Sequence, residues 1–119
     1  MPDTSLHDLI YRFDSKLFIG GAFVAGQGAR LPVENPANRT VIGHISATTP
    51  AEVEAAVAAA RNAFRSWSTT LPATRAKALH RLGDLIAADA FNMATVMTAE
   101  QGKPVNAAKG ESLKLAAAC

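Results

Sequence analysis

Few residues in this 119-residue chain carry types and spacings that could do chemistry, and each has a competing structural role. Glu100-Gln101-Gly102-Lys103-Pro104 places an acid and a base on either side of a glycine, an arrangement suited to proton transfer or to holding a phosphate. The same residues also spell a helix C-terminus: glycine takes the left-handed position past the last turn, and flanking side chains tie down the exit. Spacing favours that second role. Gly26-Gln27-Gly28 is the beginning of a dinucleotide-binding loop, but the motif needs a helix directly after it, and Pro32-Val33 follow instead.

Cys119, the one cysteine, has the type of a nucleophile, yet the nearest cation, Lys114, lies off its helical stripe. It reads as a small residue on a helix face. His7, His44 and His80 fall in a lead-in, a strand and a helix without a pair at ligand spacing, so no metal site is expected. Arg61, Arg65, Arg75 and Arg81 could line a basic face across two helices. They lack aromatic or glycine-rich companions and read as solvated positions. The residues alone therefore nominate no catalytic group, no cofactor-binding residue and no metal ligand.

The elements that would position such groups are easier to read. Thr49 to Trp67 is the clearest: Val53, Ala56, Val57, Ala60, Phe64 and Trp67 share one helical face, Thr49 and Glu52 form a capping box, and Pro50 suits the first turn. Its aromatic end needs cover from elsewhere. Upstream, LFIGGAFV from Leu17 to Val24 is a hairpin turning at Gly20-Gly21. Leu31–Val33 and Val41–Ile45 are strands flanking a turn at Glu34–Asn38, so the first third forms a small antiparallel β unit. Residues 1–16 are a lead-in with at most a short helical turn.

Beyond the break at Ser68–Pro72 a second helix starts near Ala73 with Leu79, Leu82, Leu85 and Ile86 on its buried side. Asp89 reads as the cap of a third helix, carrying Phe91, Met93, Ala94, Val96 and Met97 and stopping at Gly102. A fourth, from Val105, places Ala108, Ser112, Leu115, Ala116 and Cys119 on one face and runs to the last residue without a stop signal, which points to a truncated sequence. No repeat is present.

Composition sets the outer limits. With 49% hydrophobic and 18% charged residues the chain reads as globular, and a net charge of +2 without a basic run gives no case for nucleic acid. One cysteine excludes an internal disulfide and suits a reducing compartment. Asp3 and Asp8 argue against a secretory or transit peptide, and no apolar run approaches a membrane span, so a cytoplasmic chain without membrane contact is expected.

Taken in order, LFIGGAFV, VENPANRTVIGHI, AAVAAARNAFRSW, Arg75 with Leu79 and Leu82, and EQGKPVNAAKGE resemble the N-terminal part of the aldehyde dehydrogenase superfamily, most of all its succinate-semialdehyde branch. Ala22-Phe23 and Ser112-Leu113-Lys114 depart from that pattern. The resemblance implies an α/β, aldehyde dehydrogenase-like fold: an incomplete N-terminal portion of a Rossmann-like cofactor domain over residues 17–119, a small antiparallel β lead-in followed by three to four helices. It implies a homo-oligomeric enzyme that oxidises a small aldehyde with NAD or NADP, through thiolate attack, hydride transfer and thioester hydrolysis. The family's cysteine nucleophile, its water-activating glutamate and its phosphate loop belong to later segments. Cys119 and Glu100 do not match them, so no cofactor binding or turnover is expected of these residues alone. The rival expectation is a small helical interaction module that pairs with full-length subunits.

Overall fold

The computed structural model describes residues 5–119. Met1–Thr4 of the lead-in, and the part of the targeting-peptide argument that rests on them, lie outside the described residues. Among the described residues the order is α1 (Leu6–Tyr11), β1 (Lys16–Ile19), β2 (Ala22–Ala25), β3 (Arg30–Glu34), β4 (Val41–Ser46), α2 (Pro50–Trp67), α3 (Pro72–Gln101) and α4 (Val105–Ala117).

The hairpin expected at Gly20-Gly21 is present. Both glycines have positive φ, +63° and +86°, which a two-residue turn matching the twist of β1 and β2 requires. The β unit is not one sheet, however. β1 pairs only with β2 and β3 only with β4, giving two separate antiparallel ribbons among the described residues. Pro32 is tolerated in β3 because one edge of that strand is unpaired. Asn35 organises the β3–β4 turn: its carbonyl accepts the Arg39 N–H at 2.7 Å and its side chain the Ala37 N–H at 2.9 Å.

Ser15 joins the two ribbons. Its N–H donates to the His44 carbonyl at 2.9 Å, its carbonyl accepts from the Gly26 N–H at 3.0 Å, and its φ is +54°. A serine in this left-handed region is strained, and the bonds on either side of it hold it there.

α2 begins as its sequence requires. The Thr49 hydroxyl accepts the Glu52 N–H at 3.3 Å, and the Glu52 carboxylate accepts the Thr49 N–H at 2.7 Å. Its apolar face is open: Phe64 is 66% and Trp67 45% exposed, and no residue of α2 is buried.

Two expectations about α3 fail. The break at Asp89 is absent, and Pro72–Gln101 is one helix of 30 residues. Ala87, Ala88 and Ala90 favour helix, no glycine or proline intervenes, and the Asp89 carboxylate accepts the Asn92 amide at 2.7 Å instead of capping a new turn. The buried line is also different. Leu79, Leu82 and Leu85 are exposed, while Gly83, Ala90, Ala94 and Ala99 are buried, the first three of them on the face toward α4.

α4 runs back along α3 with Ala108 and Ser112 buried and Leu115 exposed, contrary to the expected stripe. A Cβ on Gly83 would come 2.7 Å from the Ala116 carbonyl oxygen, so only glycine permits that approach. Gly102 closes α3 at φ +73°, its N–H donating to the Thr98 carbonyl at 2.9 Å, as the sequence implied.

The result is a thin, open arrangement. The radius of gyration is 16.7 Å, against about 13.5 Å for a compact chain of this length. The accessible surface is 8603 Å², against roughly 6,100 Å² for a folded monomer of this mass.

The small-residue seam carries the packing, so substitutions there and on the leucine line should separate. Ala94→Leu, at a fully buried position, should lower unfolding stability by about 1–3 kcal/mol in urea denaturation. Leu82→Ala, at an exposed one, should change it by no more than about 0.5 kcal/mol.

Candidate functional site

The Gly26–Gly28 loop leads into β3, with no helix to face a phosphate. Its glycines serve close approach. A Cβ on Gly28 would lie 1.5 Å from the Ala47 carbonyl oxygen, and one on Gly26 would lie 2.2 Å from the Ser46 side chain. The Gln27 N–H, which a phosphate-binding loop would present to its ligand, already donates to Glu52 at 2.8 Å. These residues do not fit the pyrophosphate of a dinucleotide.

Glu52 thus does more than close a capping box. One carboxylate oxygen accepts from Gln27, and the other accepts from the Thr49 N–H and, at 2.8 Å, from the Thr49 hydroxyl. The Thr49 N–H first, then the Gln27 N–H and the Thr49 hydroxyl, hold the Glu52 carboxyl below its ordinary pKa. The capping half of this cluster is readable from Thr49-x-x-Glu52. The reach across to Gln27, 25 residues away, has no local signal.

At the end of α3, Lys103 and Glu100 do not meet. The Lys103 ammonium pairs with the Glu111 carboxylate of α4, and Glu100 lies exposed. Gly102 sits against Pro36 of the β3–β4 turn, where an added Cβ would come 3.1 Å from the ring. This is the tied helix exit that the spacing favoured, with Glu111 as the residue that ties it.

Cys119 is half-buried, its thiol directed to the Leu115 carbonyl at 3.4 Å. The arginines do not form one face. Arg75 is drawn to the α2–α3 joint, donating to the Ser68 carbonyl at 3.2 Å and the Trp67 carbonyl at 3.4 Å, where its charge also faces the negative end of α2. Arg61 and Arg65 remain on the surface of α2. His7 stacks on Tyr11, and His80 is exposed. Among the described residues no three His, Cys, Asp or Glu side chains come together as a metal would need.

One cluster was not anticipated. Asp14, with its side chain 14% exposed, accepts the Ser15 hydroxyl at 2.8 Å and the Arg30 guanidinium at 3.0 and 3.2 Å, and lies 3.6 Å from His44 Nδ1. The Ser15 hydroxyl first, then Arg30 and His44, keep its carboxyl below the usual aspartate value. His44 Nδ1 is buried, and at 3.6 Å it makes no hydrogen bond with Asp14.

The cluster stands at the edge of a cavity of about 400 Å³ between α1, the β3–β4 ribbon and the second half of α3. Leu9, Ile10, Val33, Ile42, Val96 and Met97 supply much of its wall. Met93, Val96, Met97 and Glu100 at helical spacing are the one sequence signal that could have indicated it.

The sequence profile of the aldehyde dehydrogenase family matches residues 23–119, and the chain belongs to that family. Among curated relatives, the human mitochondrial methylmalonate-semialdehyde/malonate-semialdehyde dehydrogenase [acylating] is 38% identical over 97 residues, covering 81% of this chain and 18% of its own. Among solved structures, an aldehyde dehydrogenase from Brucella melitensis superposes with a TM-score of 0.83 at 34% identity, covering 91% of this chain and 22% of that one. The betaine aldehyde dehydrogenase of Staphylococcus aureus, solved with NAD+, gives a TM-score of 0.81 at 27% identity over 90% of this chain and 22% of that one. The chain spans about a fifth of the length of the relatives it matches. Among the described residues no helix is long and apolar enough to cross a membrane.

The Glu52 cluster makes a prediction with a defined sign. A carboxyl whose folded pKa is depressed stabilises the fold above its unfolded pKa, about 4.3 for glutamate, and that contribution is lost as pH falls through the folded value. Glu52→Gln should therefore be less stable than the parent at pH 7. The two stabilities should converge as pH drops below about 4, as read by thermal melts across a pH series.

Proposed function

We propose that this chain is the opening section of the cofactor domain of an NAD(P)-dependent aldehyde dehydrogenase, residues 1–16 serving as a lead-in and 17–119 as part of that domain. The observation that carries the reading is the superposition on family structures at a TM-score of 0.83 combined with coverage of 22% of the matched chain. The open face of α2 and the surplus surface support it, because they are what an element looks like when its covering layer lies elsewhere.

In the complete enzyme the substrate is a small aldehyde, oxidised to its acid. Succinate semialdehyde is the specific reading, supported by the likeness of Glu100–Glu111 to that branch and by a relative that acts on semialdehydes. NAD or NADP is the electron acceptor, in line with the NAD+ complex of the Staphylococcus relative. The cofactor is held by residues outside this chain, since the Gly26–Gly28 loop is occupied by Glu52 and Ala47. The chain's own contribution is structural: the Lys103–Glu111 pair and the α3–α4 seam build a rigid layer on which the cofactor sheet rests. The complete protein is a cytoplasmic homo-oligomer.

Purified alone, the chain should give no aldehyde-dependent reduction of NAD+ or NADP+ in an absorbance assay with succinate semialdehyde, and alkylation of Cys119 should change nothing. Turnover that alkylation abolishes would overturn the reading.

A further inference from the structure

The cavity between α1, the β3–β4 ribbon and α3 is unused by the reading above, and its chemistry is specific. Its volume of about 400 Å³ lies within the range of small-molecule sites, and its wall is mainly apolar. Its charge has one sign. Asp14, Asp89 and Glu100 line it, and no Lys or Arg does among the described residues. Asp14 is neutralised by Arg30. Asp89 makes no ion pair among the described residues, and its carboxylate is fixed by the Asn92 amide at 2.7 Å. Glu100, on the last turn of α3, has no such partner among the described residues. His44 Nδ1 adds a buried polar atom without a hydrogen-bond partner among the described residues on the wall of the same cavity.

We propose that this cavity binds a cationic amphiphile of the aliphatic amine class. The ammonium group pairs with Asp89, which Asn92 holds in place before binding, and the alkyl chain lies along Ile10, Val33, Val96 and Met97. A carboxylate of the same length meets a lining of its own charge and is rejected. An alcohol of that length gains the apolar contacts without the ion pair.

Octylamine, octanol and octanoate titrated into the full chain by calorimetry at neutral pH test the proposal. Octylamine should bind one to one, octanol about tenfold more weakly and octanoate weaker still. Shortening the chain to hexylamine should weaken binding about 10- to 20-fold, the effect of two buried methylenes. Asp89→Asn should bring octylamine to within about twofold of octanol, while Glu100→Gln should leave the preference in place. Methyl-carbon NMR gives the location without any substitution: the Met93 and Met97 signals should shift. Equal binding of all three compounds, no binding, shifts that spare Met93 and Met97, or a concentration-dependent dimer that shuts the ligand out would each overturn the proposal.

Discussion

Gly83, Ala90 and Ala94 on α3 face Ala108 and Ser112 on α4, and these small side chains bring the two helices close, with Met97 reaching Ser112 beside them. This contact determines the direction of everything else in the helical half. Because α4 takes the small-residue line, the leucines at 79, 82 and 85 are turned outward, and the apolar surface they present continues the open character of α2. Close approach also places the Lys103 ammonium within reach of Glu111, so the turn at Gly102 is fixed by packing on one side and by charge on the other. Dispersion across such a seam accumulates from many weak contacts. An added methylene would therefore be felt along its length.

The β half is held differently. It has no comparable core, and its two ribbons depend on hydrogen bonds gathered at a few residues. Ser15 connects the end of β2 to β4 through backbone atoms, Asp14 draws Arg30 and Ser15 together, and Glu52 joins the loop after β2 to the start of α2. Two carboxylates thus do in this half what the seam does in the other, and both have depressed pKa values because each accepts several donors.

Legibility in the sequence followed the range of the interactions. The Gly20-Gly21 hairpin, the Thr49–Glu52 box and the Gly102 stop are local, and each appears where its residues require it. The family was readable as well, because its motifs keep their order along the chain. The continuity of α3 was not, since Asp89 has the right type for a cap and its pairing with Asn92 is decided only once the helix exists. The buried line of α3 was missed for a related reason. Leucines signal burial by their own hydrophobicity, whereas alanine and glycine signal it only through a partner near enough to need them. Gln27–Glu52, Asp14–Arg30 and the cavity walls join residues distant in the chain, and no spacing rule reaches them.

The length of α3 has a mechanical consequence. At 1.5 Å per residue its 30 residues span about 45 Å, while α4 lies against it only from about Gly83 onward. The first three turns extend past α4, with α2 attached at their end through the Arg75 hydrogen bonds and held at its own start to Gln27 through Glu52. Trp67 therefore stands at a joint that α4 does not reach, and the position of that aromatic edge is set by the two anchors of α2 and not by the alanine contacts.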